Sequence, residues 1–417
     1  MRHFQRRTKE ISAAKAPASA CRLSSLQTLD LSQQRFLLSS SGNAPKQAEA
    51  WSIPICTKAA AGAGSSCYLV DKQDARFTAN TCTDWIFANR DAKGYYRVHY
   101  PSLKSLKDIG TIAEKELTVP ERIAFVEDLW AMVRAGKEPV ENFLIIVPGL
   151  RADHNRLVID SIAGHLDTIG RSLIPEQKQP FFQLIIERQF GKLAKEIGWT
   201  SSANDDDDRK ALRASLLEIL GDVDDPDAVA AARKITQAYI KDPGAVEGTI
   251  IGPALAVAAE NGDAALYEQF TQGMATAHST EDYYHFLFAL TSFRQPELVQ
   301  RTLALVDQGK LRQQDYVRLF PALLANSSAR EIAWDYLKAH WDSLAEKVTS
   351  FGGSGAVPAL GGFCSIEKRD EINQFFASHR APGAERALQQ SLERIAACVE
   401  FKQLQGPNMQ KVFDLSQ

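Results

Sequence analysis

The apolar period of this 417-residue chain changes once, at Pro101, and that change limits what it can fold into. Before it, apolar residues recur at a spacing of two in short runs: Leu29 and Leu31, Arg35-Phe36-Leu37-Leu38, Trp51-Ser-Ile-Pro-Ile, Cys67-Tyr-Leu-Val, Trp85-Ile-Phe and Tyr96-Arg-Val-His-Tyr100. Turn-forming stretches, Ser-Ser-Ser-Gly-Asn and Ala-Gly-Ala-Gly-Ser-Ser, separate them. Short alternating runs bounded by such turns predict strands, and their regular spacing predicts a small β-sandwich over residues 24–100. A core that thin is marginal alone and must lean on a neighbour.

After Pro101 the spacing becomes that of a helix and remains so over residues 101–417. Thr118 and Glu121 bracket Pro120 as a capping box, Ile123, Val126, Trp130 and Val133 follow on one face, and Gly136 marks the stop. Leu212, Leu216 and Ile219 end at Gly221, and Asp225-Pro226 opens a helix through Tyr239. Ser328 to Glu331 reads as a second capping box, before a stripe of Trp334, Leu337, Trp341 and Leu344. Helix after helix with short connections predicts a mainly α protein: a curved superhelix, an α-solenoid of antiparallel pairs, preceded by the β-sandwich.

Charge excludes some partners. Lys and Arg total 48 against 51 Asp and Glu, so no field draws nucleic acid. No run approaches the ~20 apolar residues of a membrane-spanning helix. Residues 1–23 carry Arg2, Arg6, Arg7 and Lys9 with no apolar stretch behind them, which predicts a disordered basic tail or a misplaced start and leaves the cytoplasm as the default compartment. The six cysteines, Cys21, Cys56, Cys67, Cys82, Cys364 and Cys398, form no C-x-x-C pair, which speaks against a zinc finger or a dithiol centre. Buried thiols are expected, with a Cys56–Cys67 bridge across a hairpin as the alternative.

The acidic clusters after Asn204 and Asp222 lack calcium-loop spacing and instead precede helices, where carboxylates meet the positive end of the dipole. His278 and His285, with Glu281 and Asp282 between them, could share a helix face but lack a third metal ligand, and are expected to be ordinary histidines. The run Tyr283 to Phe288 is expected to be core between helices.

Several segments are similar, in order and spacing, to the C-terminal half of the aminopeptidase N family, which includes the puromycin-sensitive and endoplasmic-reticulum aminopeptidases. They are Gln34-Arg35-Phe36, Trp51-Ser-Ile-Pro-Ile55, the block from Trp85 through Gly94-Tyr-Tyr-Arg to Tyr100, Glu121-Arg-Ile-Ala-Phe-Val-Glu-Asp128, and Gln314-Asp315 with Asn326 and Trp334. The resemblance makes Trp85, Asn89, Gly94, Tyr95, Tyr96, Arg97 and Tyr100 a structural signature at the domain junction. Tyr96 and Arg97 alternate on a terminal strand that fixes it. One departure is Ser328, where relatives commonly have glycine and where a serine cap serves equally.

The family's zinc chemistry needs H-E-x-x-H and a third carboxylate. The eight histidines, His3, His99, His154, His165, His278, His285, His340 and His379, precede Phe, Tyr, Asn, Leu, Ser, Phe, Trp and Arg, and a G-x-M-x-N segment is missing too. No catalytic, cofactor or metal residue is expected in this chain, and zinc is expected only in a catalytic domain outside it. The resemblance implies a non-catalytic portion that encloses the peptide cavity and controls substrate access. Its expected partners are peptides and an aminopeptidase catalytic domain, which could be separately encoded. The alternative is a free-standing helical-repeat protein that binds peptides or proteins.

Overall fold

The computed structural model describes residues 9–15, 27–38, 50–60, 66–79, 83–202, 204–349 and 355–415. Cys21, Cys82, the Ser-Ser-Ser-Gly-Asn turn and most of the Ala-Gly turn lie outside them. The chain is mainly helical, with a small β-module first, as its periodicity predicts.

Among the described residues, eight strands make up the β-module: β1 (Lys9–Lys15), β2 (Gln27–Arg35), β3 (Ile53–Cys56), β4 (Lys58–Ala59), β5 (Cys67–Val70), β6 (Asp74–Ala79), β7 (Ile86–Phe87) and β8 (Arg97–His99). The main sheet runs β6-β2-β1-β8; β1 is antiparallel to β2, with Lys9 opposite Arg35, and parallel to β8, with Glu10 opposite Arg97. Strands β3 with β5 and β4 with β7 form two small ribbons. Alternation does the sorting: Ile11, Leu29, Leu31, Ile53, Ile55 and Val70 are buried.

Strand β1 corrects the expectation of a tail over residues 1–23, at least for Lys9–Lys15. Its apolar signal is only Ile11 and Ala13, too weak to read alone. Partners on both sides supply the ladder, and Glu10, fully buried, pairs with Lys137 and accepts from Gln34 Nε2 at 3.0 Å.

The helices follow as α1 (Leu103–Glu116), α2 (Val119–Arg134), α3 (Val140–Ile146), α4 (Arg156–Leu173), α5 (Gln179–Ile197), α6 (Asp207–Gly221), α7 (Pro226–Lys241) and α8 (Gly248–Glu260). The remainder are α9 (Ala264–Ala275), α10 (Thr280–Thr291), α11 (Pro296–Asp307), α12 (Tyr316–Ala325), α13 (Arg330–Thr349), α14 (Ala356–Ala359), α15 (Ile366–Ser378) and α16 (Glu385–Leu415). None of the described helices is long and apolar enough to cross a membrane.

The caps at α2, α6 and α7 form where the sequence placed them. Thr118 and Glu121 close the capping box of α2, Gly136 takes φ 69° behind it, and Asp206 and Asp225 accept from the first turns of α6 and α7. At α13 the expected box of Ser328 and Glu331 is replaced. Asn326 Oδ1 accepts from Ser328 N at 3.0 Å, its carbonyl takes Arg330 N, and Glu331 pairs with Lys368. Asn326 wins because its amide also bonds the carbonyls of Thr291 and Phe293, which anchors the turn. The stripe behind it is as read: Trp334, Leu337, Trp341 and Leu344 are all buried.

Compactness does not follow the period change at Pro101. One unit comprises Met1–Ile174 with Phe401–Gln417, the other Pro175–Glu400. The reason is bonding between the β-module and α2, described below. In the second unit, neighbours pack in sequence, α7 with α8, α9 with α10 and α12 with α13, around one apolar cluster that runs from Tyr239 to Ile395.

Candidate functional site

The predicted signature residues fold into one loop braced from inside. Trp85 is buried, and its carbonyl accepts from Thr83 Oγ1 at 2.9 Å. Asn89, also buried, spans the loop: its Oδ1 accepts from Gly94 N at 2.8 Å and its Nδ2 donates to Gly94 O at 3.2 Å. Between them Asp91 and Ala92 hold φ of 59° and 54°, a strained pair for residues with a Cβ. Glycine is required at 94, since a Cβ there would sit 2.1 Å from the Tyr96 ring.

Two tyrosines grip Ala88 from opposite sides. Tyr96 Oη donates to its carbonyl and Tyr100 Oη accepts from its N–H, both at 2.9 Å. Burial pushes both phenols well above the ordinary range, so they stay protonated. Tyr95 between them points the other way and is 72% exposed.

Helix α2 supplies the matching charges. Glu121, fully buried, accepts from Lys58 Nζ at 2.8 Å, Asp91 N at 2.9 Å and Thr118 N at 2.8 Å. Burial opposes its charge, but these donors outweigh burial and hold the carboxyl below its usual value. Asp128 takes Arg97 Nη1 at 3.1 Å and Val98 N at 3.0 Å. There burial wins, and the carboxyl is pushed up to about 7 despite the arginine. Glu121 and Asp128 are seven residues apart, two turns of one face, so the signal for this pairing was present in the sequence. What it faces was not.

A third contact closes the same seam: His99 Nε2 lies 2.8 Å from Glu138 Oε1, and Asn142 Nδ2 donates to Glu138. The first unit is thus joined across Pro101 by hydrogen bonds and ion pairs, which explains why no division falls there. Nothing in this seam is a nucleophile beside a base; its chemistry is positional.

The second unit carries a different arrangement that the sequence did not reveal. Tyr283 and Tyr284 donate to the two oxygens of buried Asp315 at 2.6 and 3.0 Å, and Arg312 and Arg318 lie over their rings at 4.6 and 4.8 Å. Both arginines are exposed, and Phe288 stacks beside Tyr284. A stacked guanidinium keeps its N–H edge free to take a carboxylate in bidentate fashion. Tyr283 and Phe286 of the aromatic run are core, while Phe288 is 37% exposed.

His278 lies before α10, not on it, so it shares no helix face with His285, whose Nδ1 approaches Tyr239 Oη at 3.2 Å. Asp282 accepts from Tyr239 at 2.5 Å and borders a cavity of about 590 Å³ with Glu268, His278 and Phe286. Among the described residues no three His, Cys, Asp or Glu side chains converge as a metal-binding group.

The sequence matches the ERAP1-like C-terminal domain family over residues 85–397. It is 26% identical to aminopeptidase M1-C of Oryza sativa subsp. japonica, over 88% of this chain and 43% of that protein. It is 24% identical to aminopeptidase 2 of Candida albicans, over 88% and 41%, and 24% identical to the mitochondrial aminopeptidase 2 of Saccharomyces cerevisiae, over 75% and 33%. The chain spans less than half the length of each of these relatives.

Proposed function

This chain belongs to the ERAP1-like C-terminal domain family, the C-terminal domain of M1-type aminopeptidases, and from that premise we propose that it is the non-catalytic portion of a zinc aminopeptidase. In this reading it encloses the peptide and limits access, while the zinc and its H-E-x-x-H ligands belong to a catalytic part outside these 417 residues. The observation that carries the reading is the pairing of family membership with eight histidines, none of which begins that motif.

Two surfaces fit the two partners. Tyr95, exposed on a loop that cannot yield, and Leu69, 58% exposed opposite Pro54 on the β3–β5 ribbon, are apolar groups for a protein neighbour. Arg312 and Arg318 suit the carboxylates of a peptide.

The test mixes the purified chain with a zinc-bearing catalytic portion of a relative and follows hydrolysis of peptides. Formation of a complex with activity above that of either component supports the proposal. Absence of both overturns it, as does zinc-dependent removal of N-terminal residues by this chain alone. Calorimetric peptide affinity with no gain from the catalytic portion would support a free-standing peptide-binding protein instead.

A further inference from the structure

The four described cysteines are joined in two disulfides: Cys56–Cys67, the bridge weighed as the alternative, and Cys364–Cys398, where buried thiols were expected. Neither bond is deeply buried: Cys67 is exposed and the other three are half-buried. Thiols this accessible are kept reduced where glutathione and thioredoxin act, and persist as disulfides where the surroundings are oxidising.

The two bonds close different parts of the fold. Cys56 and Cys67 face each other at the end of the two-stranded β3–β5 ribbon, beside the Thr57 N–H that donates to Ser66 O at 2.8 Å. The second bond completes a seam. Along α16, Ser391, Arg394, Ile395 and Cys398 recur at helical spacing on one stripe. Ser391 Oγ donates to Val357 O at 2.9 Å, Arg394 Nη2 donates to Pro358 O at 2.9 Å, Ile395 is fully buried, and Cys398 reaches Cys364. Segment 357–364 is therefore matched, turn by turn, to the first half of α16, and the disulfide is its last tie.

We propose that this chain matures in an oxidising compartment, against the default of the cytoplasm, and that Cys364–Cys398 is a redox latch holding α16 on segment 357–364. The bond forms by thiol–disulfide exchange with a protein disulfide oxidant. One chain thiolate attacks the oxidant's disulfide and expels one of its thiolates; the second chain thiolate attacks the mixed disulfide and expels the other. Two chain thiols are oxidised to a disulfide, the oxidant's disulfide is reduced to two thiols, and the protons are conserved.

The full chain is produced once in a reducing and once in an oxidising compartment, quenched in acid, unfolded and tagged with a maleimide. Cys56, Cys67, Cys364 and Cys398 should resist the tag in the oxidised preparation until a reductant is added, and accept it in the other. Reducing the folded oxidised protein should raise amide exchange in 357–364 and 391–398 on the order of tenfold, leaving α7 unchanged. C364S/C398S should show the same exchange with no further response to reductant, and C56S/C67S should retain the response. All four cysteines tagged without reductant in both preparations overturns the proposal. So does an exchange pattern at 357–364 and 391–398 that reduction leaves unmoved, a result the unmutated protein delivers even if a variant fails to fold.

Discussion

The two units of this protein solve burial in opposite ways. The first closes over carboxylates: Glu10, Glu121, Asp128, Glu138 and Asp153 are all buried there, whereas in the second the buried carboxylate among the described residues is Asp315. The second instead holds a large apolar cluster that includes the fully buried Trp334, Phe320, Phe293 and Phe270. A buried charge tolerates only the geometry that pairs it, so the first unit fixes orientation. An apolar cluster adds stability roughly in proportion to area and tolerates more variation.

The largest effect that sharpens this contrast is expected in the second unit. Trp334→Ala removes a fully buried ring packed on Phe375 and Phe376 and its bond to Glu371, and should cost about 3–5 kcal/mol in urea unfolding. In the first unit, Glu121→Ala strands Lys58 and two backbone N–H groups and should cost about 3 kcal/mol. A Glu121 variant that unfolds at the urea midpoint of the parent would break the comparison.

Gly94→Ala comes next, at about 1–3 kcal/mol, because its methyl group meets the Tyr96 ring and the ring has no room to move. Acid titration then distinguishes one carboxyl of each unit by sign. Asp128, pushed up to about 7 by burial, binds its proton more tightly folded than unfolded. Its contribution to stability is therefore present at pH 4 and lost as pH rises to 7. Glu371 runs the other way: burial opposes its charge, yet Lys338, Lys368 and Trp334 pull it down to about 2, so its contribution is present above its ordinary value and lost as pH falls towards 2. Urea midpoints of Asp128→Asn and Glu371→Gln across pH 2–8 should lose those two slopes separately. The smallest effect is that of Tyr95→Ala, within about 0.5 kcal/mol on stability, with its consequence expected in binding of a catalytic partner.

Helix existence and caps were legible because they are local. Thr118, Glu121, Asp225 and Gly136 act within a turn of themselves. The signature residues were legible as a block but not as a mechanism, since the partners of Arg97 and Asp91 lie about thirty positions away on α2. Ser328 misled for the same reason: its rival Asn326 is decided by carbonyls at Thr291 and Phe293.

By itself, then, the sequence determined where strands give way to helices, which residues start and stop them, and that no histidine carries the zinc motif, because spacing and adjacency are properties of the chain alone. Only the tertiary structure decided that Lys9–Lys15 is a strand, that Glu121 and Asp128 tie the β-module to α2, that Arg312 and Arg318 stand on tyrosines, and that four cysteines are paired. Each of these depends on groups far apart in sequence meeting at bonding distance, and no periodicity encodes that.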